Sequence, residues 1–171
     1  AMEKDFFCKR QDGDYMQGKV WPGDCFFPDF TNPEVRSWWS NLYKELISQG
    51  VSGVWNDMNE PAVFEIGTFP DDGRHAYDGL NVSHRRAHNV YGMQMARATY
   101  EGIKKFRTEE RPFVLTRSGY SGVQRYAAVW TGDNIASWEH LWIGNVQCQR
   151  LSSSGGSFCG TDFGGRSEER S

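Results

Sequence analysis

The stretch Gly53-Val54-Trp55-Asn56-Asp57-Met58-Asn59-Glu60-Pro61 decides how the rest of the chain is interpreted. It begins with a short apolar, β-prone run and ends in acidic and amide side chains before a proline. Because proline lacks a backbone N–H and keeps Glu60 out of a helical conformation, the backbone must turn there. Trp55 and Asp57 are two residues apart, so they lie on one face of a strand. The stretch predicts a buried strand that delivers polar side chains into a cleft. The alternative is a strand followed by an acidic surface turn.

Helices and strands alternate along the chain. Thr31 or Asn32 can cap a helix that has Pro33 at its first position and ends at Gly50. Apolar residues at helical spacing predict a second helix over about 85–106. The remaining predicted elements are a helix capped by Ser137 and strands over 111–119, 126–134 and 157–162. A Ser/Gly run at 152–156 is typical of a linker.

This alternation predicts an α/β protein with a parallel sheet. Polar residues follow successive strands, and a (β/α)₈ barrel gathers such groups at the carboxyl ends of its strands. A whole barrel needs about 250 residues, whereas this chain has 171. We therefore expect one domain over 1–171 that forms part of a TIM barrel.

Composition excludes several classes of protein. The net charge is −3 and there is no basic stripe, which argues against a nucleic-acid partner. No apolar run is long enough to span a membrane, and the first residues lack the apolar core of a signal peptide. We expect a soluble protein whose compartment the sequence does not indicate.

The histidines and cysteines show no metal-ligand spacing. His75 and His84 lie in or near a long segment, about 65–82, that is rich in Gly, Asp and Pro, and we expect both side chains to be solvated. The cysteines have neither metal-site nor disulfide-framework spacing and are expected to be reduced and partly buried: Cys8, Cys25, Cys148 and Cys159. No motif implies a metal or an organic cofactor.

The opening stretch resembles the nucleophile signature of glycoside hydrolase family 31, the α-glucosidase family, which reads Trp-x-Asp-Met-Asn-Glu-Pro. Other similar segments follow in the family's order: Trp21-Pro22-Gly23, His88-Asn89-x-Tyr91-Gly92 and Trp130-Thr131-Gly132-Asp133-Asn134. We expect the matched residues at 88–92 to anchor a helix and not to take part in the chemistry. The resemblance extends from about Tyr15 to about Gly165. It implies about half a barrel, from the end of the third strand to the seventh strand.

The resemblance implies a retaining α-glycosidase that cleaves terminal α-glucosidic bonds. Retention requires two carboxyl groups about 5 Å apart, of which one attacks the anomeric carbon and the other donates and later accepts a proton. By resemblance, Asp57 is the nucleophile and Asp133 is the acid/base. Each follows a tryptophan near the end of a predicted strand.

The other matched positions are expected to bind the sugar in the first subsite. Arg117 can hold hydroxyls and balance the charge of Asp57, and Glu60 is given a structural, hydrogen-bonding role. The remaining expected contacts with an α-glucoside or oligosaccharide are Trp21, Trp55, Met58, Phe64, Trp130 and Asp162.

The chain departs from the family pattern near its end. Arg166 stands where the family has an aromatic wall residue, and a charged tail follows over 167–171. These departures leave an alternative: a non-catalytic barrel fragment or carbohydrate-binding scaffold. Sheet edges and a sheet face without partners predict self-association in either case.

Overall fold

The computed structural model describes residues 1–162 and residue 164. Its elements in chain order are β1 (Gln17–Val20), β2 (Gly23–Phe26), α1 (Pro33–Ser48), β3 (Gly53–Asn56), β4 (Arg74–His75), β5 (Val82–Ser83), α2 (His84–Phe106), β6 (Phe113–Thr116), β7 (Ala128–Trp130), α3 (Trp138–Ser153) and β8 (Cys159–Gly160). Strands β1 and β2 form an antiparallel hairpin, and β4 pairs with β5.

The central element is a four-stranded parallel sheet in the order β3-β6-β7-β8. Val54 is opposite Val114, Leu115 is opposite Ala128, and Trp130 is opposite Gly160. The prediction of a parallel α/β sheet is confirmed, and over the described residues the strands form an open part of a barrel. Because all four strands run the same way, their carboxyl ends lie along one edge, where the residues after Asn56 and Thr116 meet.

The predicted start of α1 is confirmed. The Asn32 side chain accepts a hydrogen bond from the Glu34 N–H at 2.9 Å, and Pro33 occupies the first helical position. The helix ends at Ser48, and Gly50 follows with a φ of 95°, a left-handed conformation that glycine adopts without strain.

Helices α1 and α2 pack closely against each other. The Ser40 hydroxyl donates to the Ala98 carbonyl at 2.7 Å, and the Tyr43 hydroxyl lies 3.1 Å from the hydroxyl of the fully buried Thr99. A Cβ atom at Gly102 would lie 2.7 Å from the Ser40 carbonyl oxygen. The bare glycine therefore allows the two backbones to approach.

Helix α3 is packed much less tightly. Ser137 caps it as predicted, by accepting from the His140 N–H at 3.2 Å. Gly144 is its one buried residue, and Trp138 is 86% exposed. The helix continues through Ser152 and Ser153. The linker prediction is therefore wrong for these two serines, since the helical backbone extends into the Ser/Gly run.

The two loop histidines are buried, so the prediction that they are solvated is wrong. His75 and His84 are 1% and 0% exposed, and His75 Nε2 lies 2.9 Å from His84 Nδ1. Burial and the charges of His75 and His88 lower the pKa of His84 to about 3. The segment also contains β4 and β5, so it is not a loop without elements.

The first residues contribute to the core although they show no apolar period. Phe6 and Cys8 are buried in one cluster with Phe30 and Val35 at the start of α1. The four cysteines are free thiols, as expected, and Cys8 is fully enclosed.

No helix among the described residues has the length and apolar character needed to cross a membrane. Arg166 and the charged tail over 167–171 lie outside the described residues.

Candidate active site

Three neighbouring strand ends bring the predicted catalytic side chains together. Asp57 follows β3, Arg117 follows β6, and Asp133 lies in the loop after β7. These strands are adjacent in the sheet. The site is therefore assembled from residues up to 76 positions apart by the parallel order of the strands alone.

Arg117 is the centre of the site. Its Nε donates to Glu60 Oε1 and its Nη2 donates to Glu60 Oε2, each at 2.9 Å. This two-point pairing fixes the plane of the guanidinium group. Glu60 was predicted to have a hydrogen-bonding role, and Arg117 is its partner. The local sequence around Glu60 did not indicate this partner, because Arg117 follows a different strand.

The third guanidinium nitrogen faces the two predicted catalytic carboxylates. Arg117 Nη1 lies 3.2 Å from Asp57 Oδ1 and 3.8 Å from Asp133 Oδ2. Since both distances share one nitrogen, the two oxygens are at most about 7 Å apart. The hydrogen bonds to Glu60, followed by the charges of Glu60, Asp57 and Asp133, raise the pKa of Arg117. The cation therefore remains charged while it balances three acids.

The Asp57 oxygen beside Arg117 is enclosed. Asp57 Oδ1 is buried and accepts no hydrogen bond from the described residues, because the 3.2 Å approach of Arg117 lacks hydrogen-bond geometry. The Asp57 side chain as a whole is 30% exposed. Asp57 can thus present a carboxylate to the cleft while its inner oxygen faces a fixed positive charge.

Asn59 forms the floor beneath these groups. Its Oδ1 accepts from the Ser118 N–H at 3.1 Å, and its Nδ2 donates to Thr116 Oγ1 at 2.9 Å. Helix α2 supports this floor through Gly92, where a Cβ would lie 2.6 Å from the Asn59 carbonyl oxygen. The sequence marks Asn59 as part of the motif, but its partners on β6 are visible only in the structure.

The segment at 88–92 was expected to anchor α2. Tyr91 does so, since its buried hydroxyl donates to the Pro28 carbonyl at 2.9 Å. Gly92 lies against Asn59, as described above, and the His88 ring is 4.9 Å from that of His84. Asn89 is exposed, so the anchoring prediction is wrong for this residue.

Two tryptophans pack against each other on β3 and β7, the strands that precede Asp57 and Asp133. The rings of Trp55 and Trp130 meet edge to face, with centroids 5.5 Å apart. Trp130 Nε1 donates to Asp162 Oδ1 at 3.0 Å. Asp162 therefore orients this indole, and a contact of Asp162 with sugar hydroxyls stays a prediction.

Two of the remaining predicted contacts, Trp21 and Phe64, pair with each other. Trp21, at the turn of the β1–β2 hairpin, packs edge to face on Phe64 with centroids 4.9 Å apart, and both rings are exposed. Met58 has a left-handed φ of 55° directly after Asp57, and its contact with a sugar stays a prediction.

Comparison with known proteins identifies the architecture. Residues 1–171 match the family model of the glycosyl hydrolases family 31 TIM-barrel domain. The chain belongs to glycosyl hydrolase family 31. It is 52% identical over 166 residues to alpha-glucosidase 2 of Bacillus thermoamyloliquefaciens, covering 96% of this chain and 21% of the relative. It is 47% identical over 169 residues to human neutral alpha-glucosidase C, covering 96% of this chain and 18% of the relative.

Solved family 31 structures share the fold. A crystal structure of the Tris-bound glucosidase II alpha subunit matches with a TM-score of 0.87 at 38% identity, covering 96% of this chain and 18% of that one. The family 31 alpha-glucosidase of Bacteroides thetaiotaomicron matches with a TM-score of 0.75 at 46% identity, covering 93% and 25%. The chain thus spans about a fifth of the length of the curated family 31 relatives it matches.

Proposed function

We propose that this domain carries the catalytic centre of a retaining α-glycosidase that hydrolyses terminal α-glucosidic bonds. The observation that carries the proposal is the position of Arg117 Nη1, which lies within 3.8 Å of both Asp57 and Asp133. Retaining enzymes hold their two carboxyl groups about 5–5.5 Å apart. The upper limit of about 7 Å set by the shared nitrogen is compatible with that spacing.

In this proposal Asp57 is the nucleophile. Asp57 Oδ1 faces the guanidinium of Arg117 without a hydrogen-bond donor, so the anion is stabilised by charge while its electron pairs are not held in a hydrogen bond. Attack of a carboxylate oxygen on the anomeric carbon breaks the bond to the leaving oxygen and forms a covalent glycosyl–enzyme intermediate.

Asp133 acts as the acid and then as the base. As the acid it donates its proton to the leaving oxygen, and as the base it removes a proton from the water that hydrolyses the intermediate. The tryptophan pair Trp55 and Trp130 supplies an apolar surface for the sugar ring next to these carboxylates. The exposed pair Trp21 and Phe64 extends that surface at the hairpin turn.

An α-glucoside or a glucose-terminated oligosaccharide is the substrate class that the proposal implies. Support comes from the family and from relatives that are named alpha-glucosidases. Because the chain spans about a fifth of those relatives, the preferred α-glycoside is open to direct measurement on this chain.

The deciding experiment is hydrolysis of an aryl α-glucoside by the purified chain and by two variants, Asp57→Asn and Asp133→Asn. Both variants should lose turnover, and azide should rescue each with opposite stereochemistry. The nucleophile variant should give the inverted glycosyl azide, and the acid/base variant should give the retained one. Turnover by the parent chain that both variants preserve would contradict the assignment.

A second candidate function is a non-catalytic carbohydrate-binding or assembly scaffold that self-associates. The apolar exposure of α3 favours it, since Trp138 and Trp142 are 86% and 64% exposed. Absence of turnover in a folded parent chain, together with saturable binding of glucose oligomers, would favour this function. Light scattering tests the self-association, and a monodisperse monomer at high concentration would exclude it.

A further inference from the structure

Three side chains of metal-ligand type converge inside the core, in a cluster that the proposed catalysis does not use. Cys8 lies before β1, Asp29 lies between β2 and α1, and His75 lies in β4. One ligand atom of each lies within 4.8 Å of the other two. The three residues are 1%, 5% and 1% exposed, so this is a closed site and not a surface cluster.

The two distances from His75 Nδ1 match those of a tetrahedral zinc site, and Cys8 Sγ lies within 4.8 Å of an Asp29 carboxylate oxygen. With Zn–S near 2.3 Å and Zn–N and Zn–O near 2.0–2.1 Å, tetrahedral geometry places sulfur and nitrogen about 3.5 Å apart and nitrogen and oxygen about 3.3 Å apart. Cys8 Sγ lies 3.6 Å from His75 Nδ1, and His75 Nδ1 lies 3.2 Å from Asp29 Oδ1. Without a cation the same three atoms can share protons, which gives a hydrogen-bonded triad.

The charges of the cluster suit a divalent cation. A buried ion is tolerated only when neighbouring charges neutralise it. One thiolate and one carboxylate carry the two negative charges that a divalent ion requires, and a neutral imidazole supplies the third ligand. Sulfur and nitrogen ligands favour zinc or cobalt over magnesium or calcium.

A second layer of hydrogen bonds holds the ligands in place. His75 Nε2 lies 2.9 Å from His84 Nδ1, which leaves His75 Nδ1 directed at Cys8 and Asp29. The Ala76 N–H donates to Asp29 Oδ2 at 2.6 Å, and the Thr31 hydroxyl donates to Asp29 Oδ1 at 2.6 Å. Partners of this kind fix ligand orientation and tautomer in metal sites.

We propose that Cys8, Asp29 and His75 form a buried binding site for a thiophilic divalent transition metal of the zinc type. Coordination would join the residues before β1 to the segment between β2 and α1 and to β4. The Cys8 thiol proton is released to solvent when the metal binds. Three protein ligands leave one tetrahedral position for water or a backbone carbonyl.

The test is refolding of the full 171-residue chain with cobalt(II), because the ligands are enclosed in the folded state. The expected result is one cobalt per chain, with thiolate-to-cobalt charge transfer and the intense visible bands of tetrahedral cobalt. Cys8→Ser should abolish the charge-transfer band. The control variant, Cys148→Ser with Cys159→Ser, removes two cysteines that lie close to each other but outside the cluster. It should retain the charge-transfer band.

A folded chain without these bands would overturn the proposal and leave a hydrogen-bonded triad only. A band that survives Cys8→Ser, or that the control variant loses, would overturn it as well.

If Cys8→Ser fails to fold, zinc titration of the unsubstituted chain decides whether the site exists. One equivalent should bind, and zinc at a hundredfold excess over Kd should raise the thermal midpoint by about 5 °C or more. An unchanged midpoint would reject the site, and glycosidase activity is not a readout of any of these measurements.

Discussion

Helices α2 and α3 both flank the parallel sheet, but they are attached to the molecule very differently. Along α2 the buried positions include Ala87, Ala96, Ala98 and Ile103, and α1 packs against this helix through Ser40 and Tyr43. Along α3 only Gly144 is buried. The difference matters for the site, because Asp57, Glu60 and Arg117 lie on the α2 side, whereas the loop that carries Asp133 leads directly into α3. One of the two proposed catalytic carboxylates, Asp57, is thus held by a packed core, and the other, Asp133, precedes a loosely attached helix.

The largest expected consequence is a difference in local opening. Amides of α1 and α2 should exchange hydrogen only through opening of the core, whereas those of α3 open locally. We expect protection factors at least about 100-fold higher for 33–48 and 84–106 than for 138–153, equivalent to about 2.7 kcal/mol. Hydrogen exchange followed by mass spectrometry of the corresponding peptides measures this. Equal protection of the three helices would remove the distinction.

A matched pair of glycine variants tests the same difference in packing. At Gly102 an added Cβ meets the Ser40 backbone at 2.7 Å, so Gly102→Ala should lower the free energy of unfolding by about 2 kcal/mol. At Gly144 the added Cβ meets the Thr161 side chain instead. Replacing glycine by alanine gains about 1 kcal/mol of helix propensity at both positions. The Thr161 side chain beside the loosely packed α3 can shift to relieve its contact, whereas the Ser40 backbone cannot, so Gly144→Ala should change stability by less than about 1 kcal/mol. Urea unfolding of both variants gives the comparison, and a larger loss at Gly144 would reverse it.

The ion pairs that hold the site on the α2 side are expected to be stronger than those on the surface. Glu60→Gln removes one charge from the two-point contact with the partly buried Arg117 and should cost about 1.5 kcal/mol. Glu65→Gln is the control, since its pair with Lys19 is exposed on both sides and should change stability by less than about 0.5 kcal/mol. Thermal unfolding of both variants at low and high salt measures the two losses of stability. A similar loss in both variants would show that the Arg117 network is no more than a surface contact.

The smallest expected effect concerns the outer face of α3. Trp142 is well exposed, so Trp142→Gln should change the free energy of unfolding of the monomer by less than about 0.5 kcal/mol. The same substitution should weaken any self-association, which sedimentation at several concentrations detects. Trp39, in contact with Phe30 and Thr99, is the partly buried counterpart, and Trp39→Ala should cost several times more. A large loss from Trp142→Gln would mean that α3 is packed as firmly as α2.

Local signals predicted the elements that depend on local physics. The cap at Asn32, the start of α2 and the alternation of helices with strands were all readable, because capping and periodicity involve residues a few positions apart. The strand before Asp57 was predicted as well, but its expected burial was wrong at Trp55, which is 54% exposed. The end of α3 was predicted less well, because two serines, a residue type that usually weakens a helix, continue this one to Ser153.

Contacts between distant segments could not be predicted in this way. The burial of His75 depends on Asp29 and His84, and the orientation of Arg117 depends on Glu60, 57 positions earlier. Neither pairing leaves a periodic signature in the sequence. The motif indicated which residue types meet in the cleft, but the partner of each depends on the order of strands in the sheet.

The bare α-carbon of Gly92 has a practical meaning for redesign of this domain. Because a Cβ there would meet the Asn59 carbonyl at 2.6 Å and the Ser118 side chain at 2.8 Å, α2 sets how high the cleft floor stands. A mutagenesis library directed at the rim can vary Trp21 and Phe64 freely, since both are exposed. Position 92 should be excluded from such a library, because a bulkier residue there would displace both motif segments at once.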